Sequence, residues 1–151
     1  MSEYPRPPAL EPCRRRVRVE VAGVVVAEST SALRVLERFH PPTIYVPPAD
    51  VRADLLERSD GRGFVCEFKG SASYLDVVVG EERRARAAWT YAAPARGYEA
   101  ITDHVAFYAN RVDGAWLDEE LVAPQDGELY GGWITRDLVG PFKGMPHTLG
   151  W

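Results

Sequence analysis

No run in the sequence approaches the ~20 consecutive apolar residues of a membrane-spanning helix. No membrane partner is therefore expected. Cysteine is scarce: Cys13 and Cys66 are the only two in 151 residues, too few for a disulfide framework. The three histidines, His40, His104 and His147, stand far apart, and no Cys or His pair has the short spacing of a metal site. Neither a metal nor a cofactor is expected. A basic excess is missing too. The 18 Lys and Arg against 22 Asp and Glu leave a net charge of −4, whereas a nucleic-acid binder carries cations that neutralise phosphates. The N-terminal MSEYPRPPALEPCRRR lacks the apolar stretch of a secretory signal. With so few cysteines, the expected setting is the cytoplasm, with reduced thiols. Absent as well are a G-x-G-x-x-G loop, a Walker-type loop and a G-x-S-x-G elbow, which removes the commonest phosphate cradles and hydrolase serines.

What is present describes an ordinary globular domain. Hydrophobic residues make up 46% and charged residues 26%, and a chain of this length buries enough surface for a single core. Thirteen glycines and 12 prolines favour short elements and many turns. The expected fold class is mainly β with a minor α component. Residues 1–13, with four prolines, read as a disordered or draped tail. Residues 14–122 read as the domain, and 123–151 as a Gly- and aromatic-rich extension packed on it.

Val17, Val19 and Val21 alternate with Arg16, Arg18 and Glu20, the period of a half-buried strand. Ala22-Gly23 turns the chain into a second strand. Residues 29–39 fit either a short helix or a strand. Thr43–Val46, between two proline pairs, predicts a short edge strand, and Asp50 a helix N-cap. A meander follows: 64–68, 71–79 and 83–91 as strands, broken at Lys69-Gly70 and Gly80–Glu82. Tyr98, Ile101, Val105 and Tyr108 fall on one helical stripe and predict one main helix near 97–110. A last strand is expected at 111–121.

The chemistry-bearing residues lie on or beside these strands. Cys66, Lys69 and Gly70 stand within CEFKG, with Tyr74 close behind. An ammonium near a thiol lowers its pKa and primes it as a nucleophile. In a regular strand, however, Cys66 and Lys69 point to opposite faces, so a bend at Gly70 is needed to join them. Without that bend, Cys66 is a small buried hydrophobe and Lys69 a turn residue. Trp89 and Tyr91 share one strand face, either in the core or as the wall of a pocket. Glu37, His40 and Asp50 could line a polar cleft with Lys69, or serve singly as caps and surface charges. Arg83, Arg84 and Arg86 read as a solvated strand edge.

Several segments in order, VRVEVAGVVVAESTSALRVLERFHPPTIYVPPADV, CEFKGSASY, AAWTY and ITDHVAFYANRVD, resemble the family called domain of unknown function 427, over about Val17 to Glu119. The segment GELYGGWITRDLVGPFKGMPHTLGW is similar to an extension of actinobacterial members. The resemblance implies a compact β-rich domain similar to the β-tent class, which includes methionine sulfoxide reductase B and the ligand-binding domain of cereblon. Those relatives carry a cysteine-bound zinc, and this sequence lacks the cysteines for it. It also has Glu67 where the family commonly has proline, while Cys66, Lys69, Gly70 and Tyr74 keep matching positions. The family's other label, nucleotidyltransferase-like, requires a D-x-D pair to hold two metal ions, and none occurs here.

Three functions fit these residues. The first is binding of a small polar or anionic molecule, in a pocket lined by Cys66, Lys69, Tyr74, Trp89 and Tyr91 with Glu37, His40 and Asp50 nearby. The second is an enzyme using Cys66, Lys69 and Tyr74 as catalytic groups in the same pocket. The third is an interaction module, homodimeric or otherwise, that docks through Tyr130, Trp133, Phe142 and Trp151 of the tail.

Overall fold

The computed structural model describes residues 9–36, 41–61, 63–66, 69–124 and 132–135. In chain order the strands are β1 (Ala9–Pro12), β2 (Val17–Val21), β3 (Val24–Ser29), β4 (Leu33–Leu36), β5 (Thr43–Tyr45), β6 (Leu56–Arg58) and β7 (Phe64–Cys66). They continue with β8 (Gly70–Val79), β9 (Glu82–Thr90), β10 (Val105–Phe107), β11 (Gly114–Leu117), β12 (Glu120–Leu121), β13 (Ala123–Pro124) and β14 (Trp133–Ile134). The fold is mainly β, as the composition predicts. The helical residues described are short 3-10 turns, and no helix among the described residues is long and apolar enough to cross a membrane.

One sheet runs β1-β4-β5 and a second β10-β9-β8-β6, with β7 also paired to β8. Val46, just past β5, joins the two. Its N–H donates to Val105 O at 2.8 Å, and Val105 N–H returns to Val46 O at 2.9 Å. The segment 43–46 is therefore interior to a continuous curved surface, not an edge. Its flanking prolines sit outside the paired residues, where their missing N–H costs no ladder bond. A third sheet, β12-β11-β2-β3, faces this surface.

The curved surface is buried on both sides. Ile44, Val77, Val105 and Phe107 turn to an aliphatic core shared with Val17, Val19 and Val21 of β2, all three fully buried. Tyr45, Tyr74, Ala106 and Tyr108 turn the other way, into an aromatic core. Burial on both faces is why 97–110 misleads as a helix. A doubly buried strand reads as an unbroken apolar run, here Val105 to Tyr108, and its spacing from Tyr98 and Ile101 imitates a helical stripe. The segment instead folds as a 3-10 turn at Glu99–Ile101 followed by β10.

Other local expectations divide. The opening hairpin turns at Ala22 and Gly23, both at positive φ (50° and 76°), and the meander of β7, β8 and β9 forms. The ambiguous 29–39 yields β4. Ordered pairing begins before Arg14, because Ala9–Pro12 lies antiparallel to Leu33–Leu36 and brings Leu10 against the aromatic core. Asp50 ends a 3-10 turn that has no side-chain cap. Its carboxylate instead accepts the Ser29 hydroxyl at 2.6 Å. In the extension, Trp133 is buried in the aliphatic core and its indole N–H donates to Phe107 O at 2.9 Å. Tyr130, Phe142 and Trp151 lie outside the described residues.

Candidate functional site

Strand alternation builds the aromatic face. Tyr74 of β8 stands opposite Trp89 of β9 in the ladder, and Tyr91 follows Trp89 on the same side. Tyr45 and Tyr108 join them. The rings of Trp89 and Tyr108 lie 4.5 Å apart, and those of Tyr45 and Trp89 meet edge to face at 6.2 Å. Phe64 of β7 closes the cluster, 5.2 Å from Tyr74 and 6.2 Å from both Trp89 and Tyr91. Such ring pairs add about 0.5–1.5 kcal/mol each beyond area burial.

An aromatic core built only for packing has no need of hydroxyls, since each buried one must find a partner. Here they are linked. Trp89 Nε1–H donates to the Tyr45 hydroxyl at 3.3 Å. The Tyr91 hydroxyl neighbours that of Tyr45 and the thiol of Cys66, and the Tyr108 hydroxyl neighbours that of Tyr74. Burial above all, then these neighbours, raises the pKa of Tyr91 and Tyr108 beyond the ordinary phenol range. Both hydroxyls therefore stay protonated and available as donors. At the far side, the guanidinium groups of Arg86 and Arg111 stack on Tyr74 and Tyr108 at 4.7 and 4.3 Å. Of the three arginines read as a solvated edge, Arg86 thus stacks on a tyrosine ring, while Arg83 and Arg84 pair with carboxylates.

The β7–β8 hairpin carries Cys66 and Lys69 at the near side. Cys66 pairs with Gly70 in register. Gly70 has φ of +105°, and a Cβ there would stand 3.1 Å from Ala95 N. Glycine is what this turn needs on both counts. Ala95 N–H donates to Lys69 O at 2.7 Å, which seats the turn against the β9–β10 connection, where Tyr98 also resides. Lys69 is only 7% exposed, unusual for a lysine. Cys66 is half-buried.

Cys66, Tyr74, Trp89 and Tyr91 thus meet in one cluster, with Lys69 in the adjoining turn. Trp89 and Tyr91 are interior to it, at 4% and 1% exposed, so the accessible part is the rim at Phe64 and Cys66. Asp50 is not part of this cluster. It borders a separate shallow cleft with Val25–Glu28 and Arg52. Glu37 and His40 lie outside the described residues. Sequence reasoning passes over Tyr45, Phe64 and Tyr108 as site residues. Tyr45 carries a usable signal, an aromatic within a β-branched segment, whereas Tyr108 is absorbed by the helical reading. Among the described residues, no three His, Cys, Asp or Glu side chains come together as a metal site.

The family profile described as domain of unknown function (DUF427) matches residues 9–118. The chain belongs to that family. The match begins at β1, before the resemblance noted from Val17, and spans the strands of both cores through β11. It therefore takes in Cys66, Lys69, Tyr74, Trp89 and Tyr91, and leaves Trp133 outside the DUF427 region. No match was found among curated proteins.

Proposed function

We propose that this DUF427 domain binds a small anionic or carbonyl-bearing molecule at the rim of its aromatic core, beside the β7–β8 hairpin. The observation that carries the reading is the cluster of polar-tipped side chains Tyr45, Tyr91 and Cys66, next to a lysine almost wholly removed from solvent. Neutral donors and one cation at the mouth of an apolar cluster match the chemistry of a small-molecule site, in which a few polar groups orient a mostly apolar contact. Lys69 supplies the charge, Cys66 the polar contact at the rim and Phe64 the apolar one, with Tyr91 and Tyr74 packed behind them. Catalysis by Cys66 is the weaker reading, because its thiol is hydrogen-bonded to no histidine or carboxylate among the described residues, and a thiol nucleophile is ordinarily activated by such a base or by a lowered pKa. Docking through the tail is weaker still for Trp133, which is spent in this chain's own core.

The test is a thermal-shift screen of the full chain against small carboxylates, phosphates, aldehydes and ketones, followed by titration calorimetry. Hits should lose affinity in Lys69→Met and weaken in Cys66→Ser, while both variants keep the native circular dichroism spectrum. Hits restricted to neutral compounds, or hits indifferent to both substitutions, would overturn the reading.

A further inference from the structure

A second site lies away from the aromatic face. Between β1 and β2 the chain must cross from the three-stranded sheet to the four-stranded one, and Cys13 N–H holds the start of the crossing by donating to Ala32 O at 2.8 Å. The crossing is Cys13-Arg14-Arg15-Arg16. A run of arginines cannot enter a core unpaired, so it passes over the open end of the aliphatic core and leaves a cleft of about 210 Å³ beneath. The floor is apolar, from Ile44, Leu117 and Trp133; Arg14, Arg15 and Arg34 stand in the walls with one carboxylate, Glu11.

Two of these cations are already committed. Arg34 is paired with Glu11. Arg15 donates through Nε to Asp118 at 3.0 Å, and through Nη2 to Glu120 at 3.2 Å and to Leu117 O at 2.8 Å. Asp118 and Glu120 do not line the cleft, so Arg15 is held in place with its partners behind it. Arg14 makes no hydrogen bond or ion pair with any described residue.

We propose that this cleft is a binding site for a small monocarboxylate with a short apolar or planar body. Among the described residues one guanidinium of the lining is uncommitted, which calls for one negative charge, and the planar fork of arginine matches a carboxylate through two parallel hydrogen bonds. The floor of Ile44, Leu117 and Trp133 takes the apolar remainder. The volume falls below the ~300–1,000 Å³ of pockets that hold drug-sized ligands, which excludes a nucleotide. With Arg15 and Arg34 already offset by carboxylates, the described residues of the walls have too little free charge to hold a polyphosphate.

The probe is sodium benzoate, titrated into the isotope-labelled full chain while the Trp133 indole N–H resonance is followed by NMR. That group is fixed by its bond to Phe107 O and reports on the cleft floor. A saturable shift is expected, and Arg14→Gln should weaken the affinity at least about tenfold, the scale of one charge-assisted hydrogen bond. Arg14 is exposed, and Arg14→Gln breaks no hydrogen bond or ion pair with a described residue, so its fold is not at issue. Benzamide, equal in shape and uncharged, should give no saturable shift. The proposal is overturned by the absence of a saturable benzoate shift, by equal affinity in Arg14→Gln, by benzamide binding as tightly, or by inorganic phosphate binding more tightly than benzoate.

Discussion

Tyr91, one residue past β9, sits beside the thiol of Cys66 on β7, so the half-buried cysteine is backed by a tyrosine that lies inside the aromatic core. Alkylation by iodoacetamide at neutral pH, in a Cys13→Ser background, should proceed in the folded state. Tyr91→Ala leaves a cavity behind the thiol and should accelerate the labelling. Labelling that appears only on unfolding would identify Cys66 as a structural thiol. An unchanged rate in Tyr91→Ala would remove this neighbour from the account.

Asp76 occupies the irregular step between Leu75 and Val77 where β8 and β9 shift register. Opposite it, Arg86 adopts a positive φ of 51°, and the Asp76 carboxylate accepts Arg86 N–H at 2.9 Å, Arg83 Nη1–H at 2.7 Å and the Ser59 hydroxyl. Burial, the largest influence, opposes the charge, but these donors together outweigh it and lower the pKa below the ordinary 3.8. A carboxylate depressed in the folded state stabilises the fold above its unfolded pKa, and loses that contribution as pH falls through the folded value. Asp76→Ala should cost about 1–3 kcal/mol near neutral pH by leaving buried donors unmet. The gap between variant and parent, measured by urea unfolding, should close as pH drops below about 4. A gap constant down to the acid limit would contradict the assignment.

Legibility in the sequence follows the physics of one-sided and two-sided burial. Val17, Val19 and Val21 alternate with charges because β2 has a single apolar face, and the hairpin with β3 is readable from that alone. Val105 to Tyr108 has no alternation because Phe107 and Tyr108 enter different cores, so the period that distinguishes strand from helix is erased. The site is half legible. Cys66, Lys69 and Gly70 stand out by residue type, and Gly70 takes the positive φ that only its residue type adopts freely. What stays hidden is that Tyr45 and Tyr108 complete the aromatic cluster, since both arrive through pairings distant in sequence. The same limit applies to Asp50, whose partner Ser29 lies across a turn no local pattern encodes.

Gly63, just before β7, approaches the backbone of β8 more closely than any side chain allows. A Cβ at this position would overlap Ala72 O outright. Gly63→Ala must push β7 off β8 and unseat Phe64 from the aromatic cluster, at a cost of about 1–3 kcal/mol for forced overpacking. Gly80, at φ of +59° with nothing within 4 Å of where a methyl would stand, is the control. There alanine meets only the left-handed backbone penalty of roughly 1–2 kcal/mol. Thermal unfolding of the two variants should separate them, and only Gly63→Ala should also accelerate Cys66 labelling. Equal labelling rates would show that β7 tolerates the displacement without opening the rim.

Trp133 lies outside the region matched by the family yet fills that region's aliphatic core. It is 2% exposed, its backbone N–H donates to Pro42 O at 3.1 Å, and its indole bonds the β10 residue Phe107. Truncating a side chain this large leaves a cavity and an unpaired carbonyl, so Trp133→Ala should cost about 3–5 kcal/mol. Trp133→Phe, which keeps most of the ring volume and loses only the hydrogen bond, should cost nearer about 1 kcal/mol. Chemical unfolding at several protein concentrations adds the decisive control. A residue that completes its own chain's core gives a midpoint independent of concentration, whereas a tail exchanged between copies makes stability rise with concentration by mass action. The expected result is independence, and a concentration-dependent midpoint that becomes flat in Trp133→Ala would instead assign this residue to a partner's core.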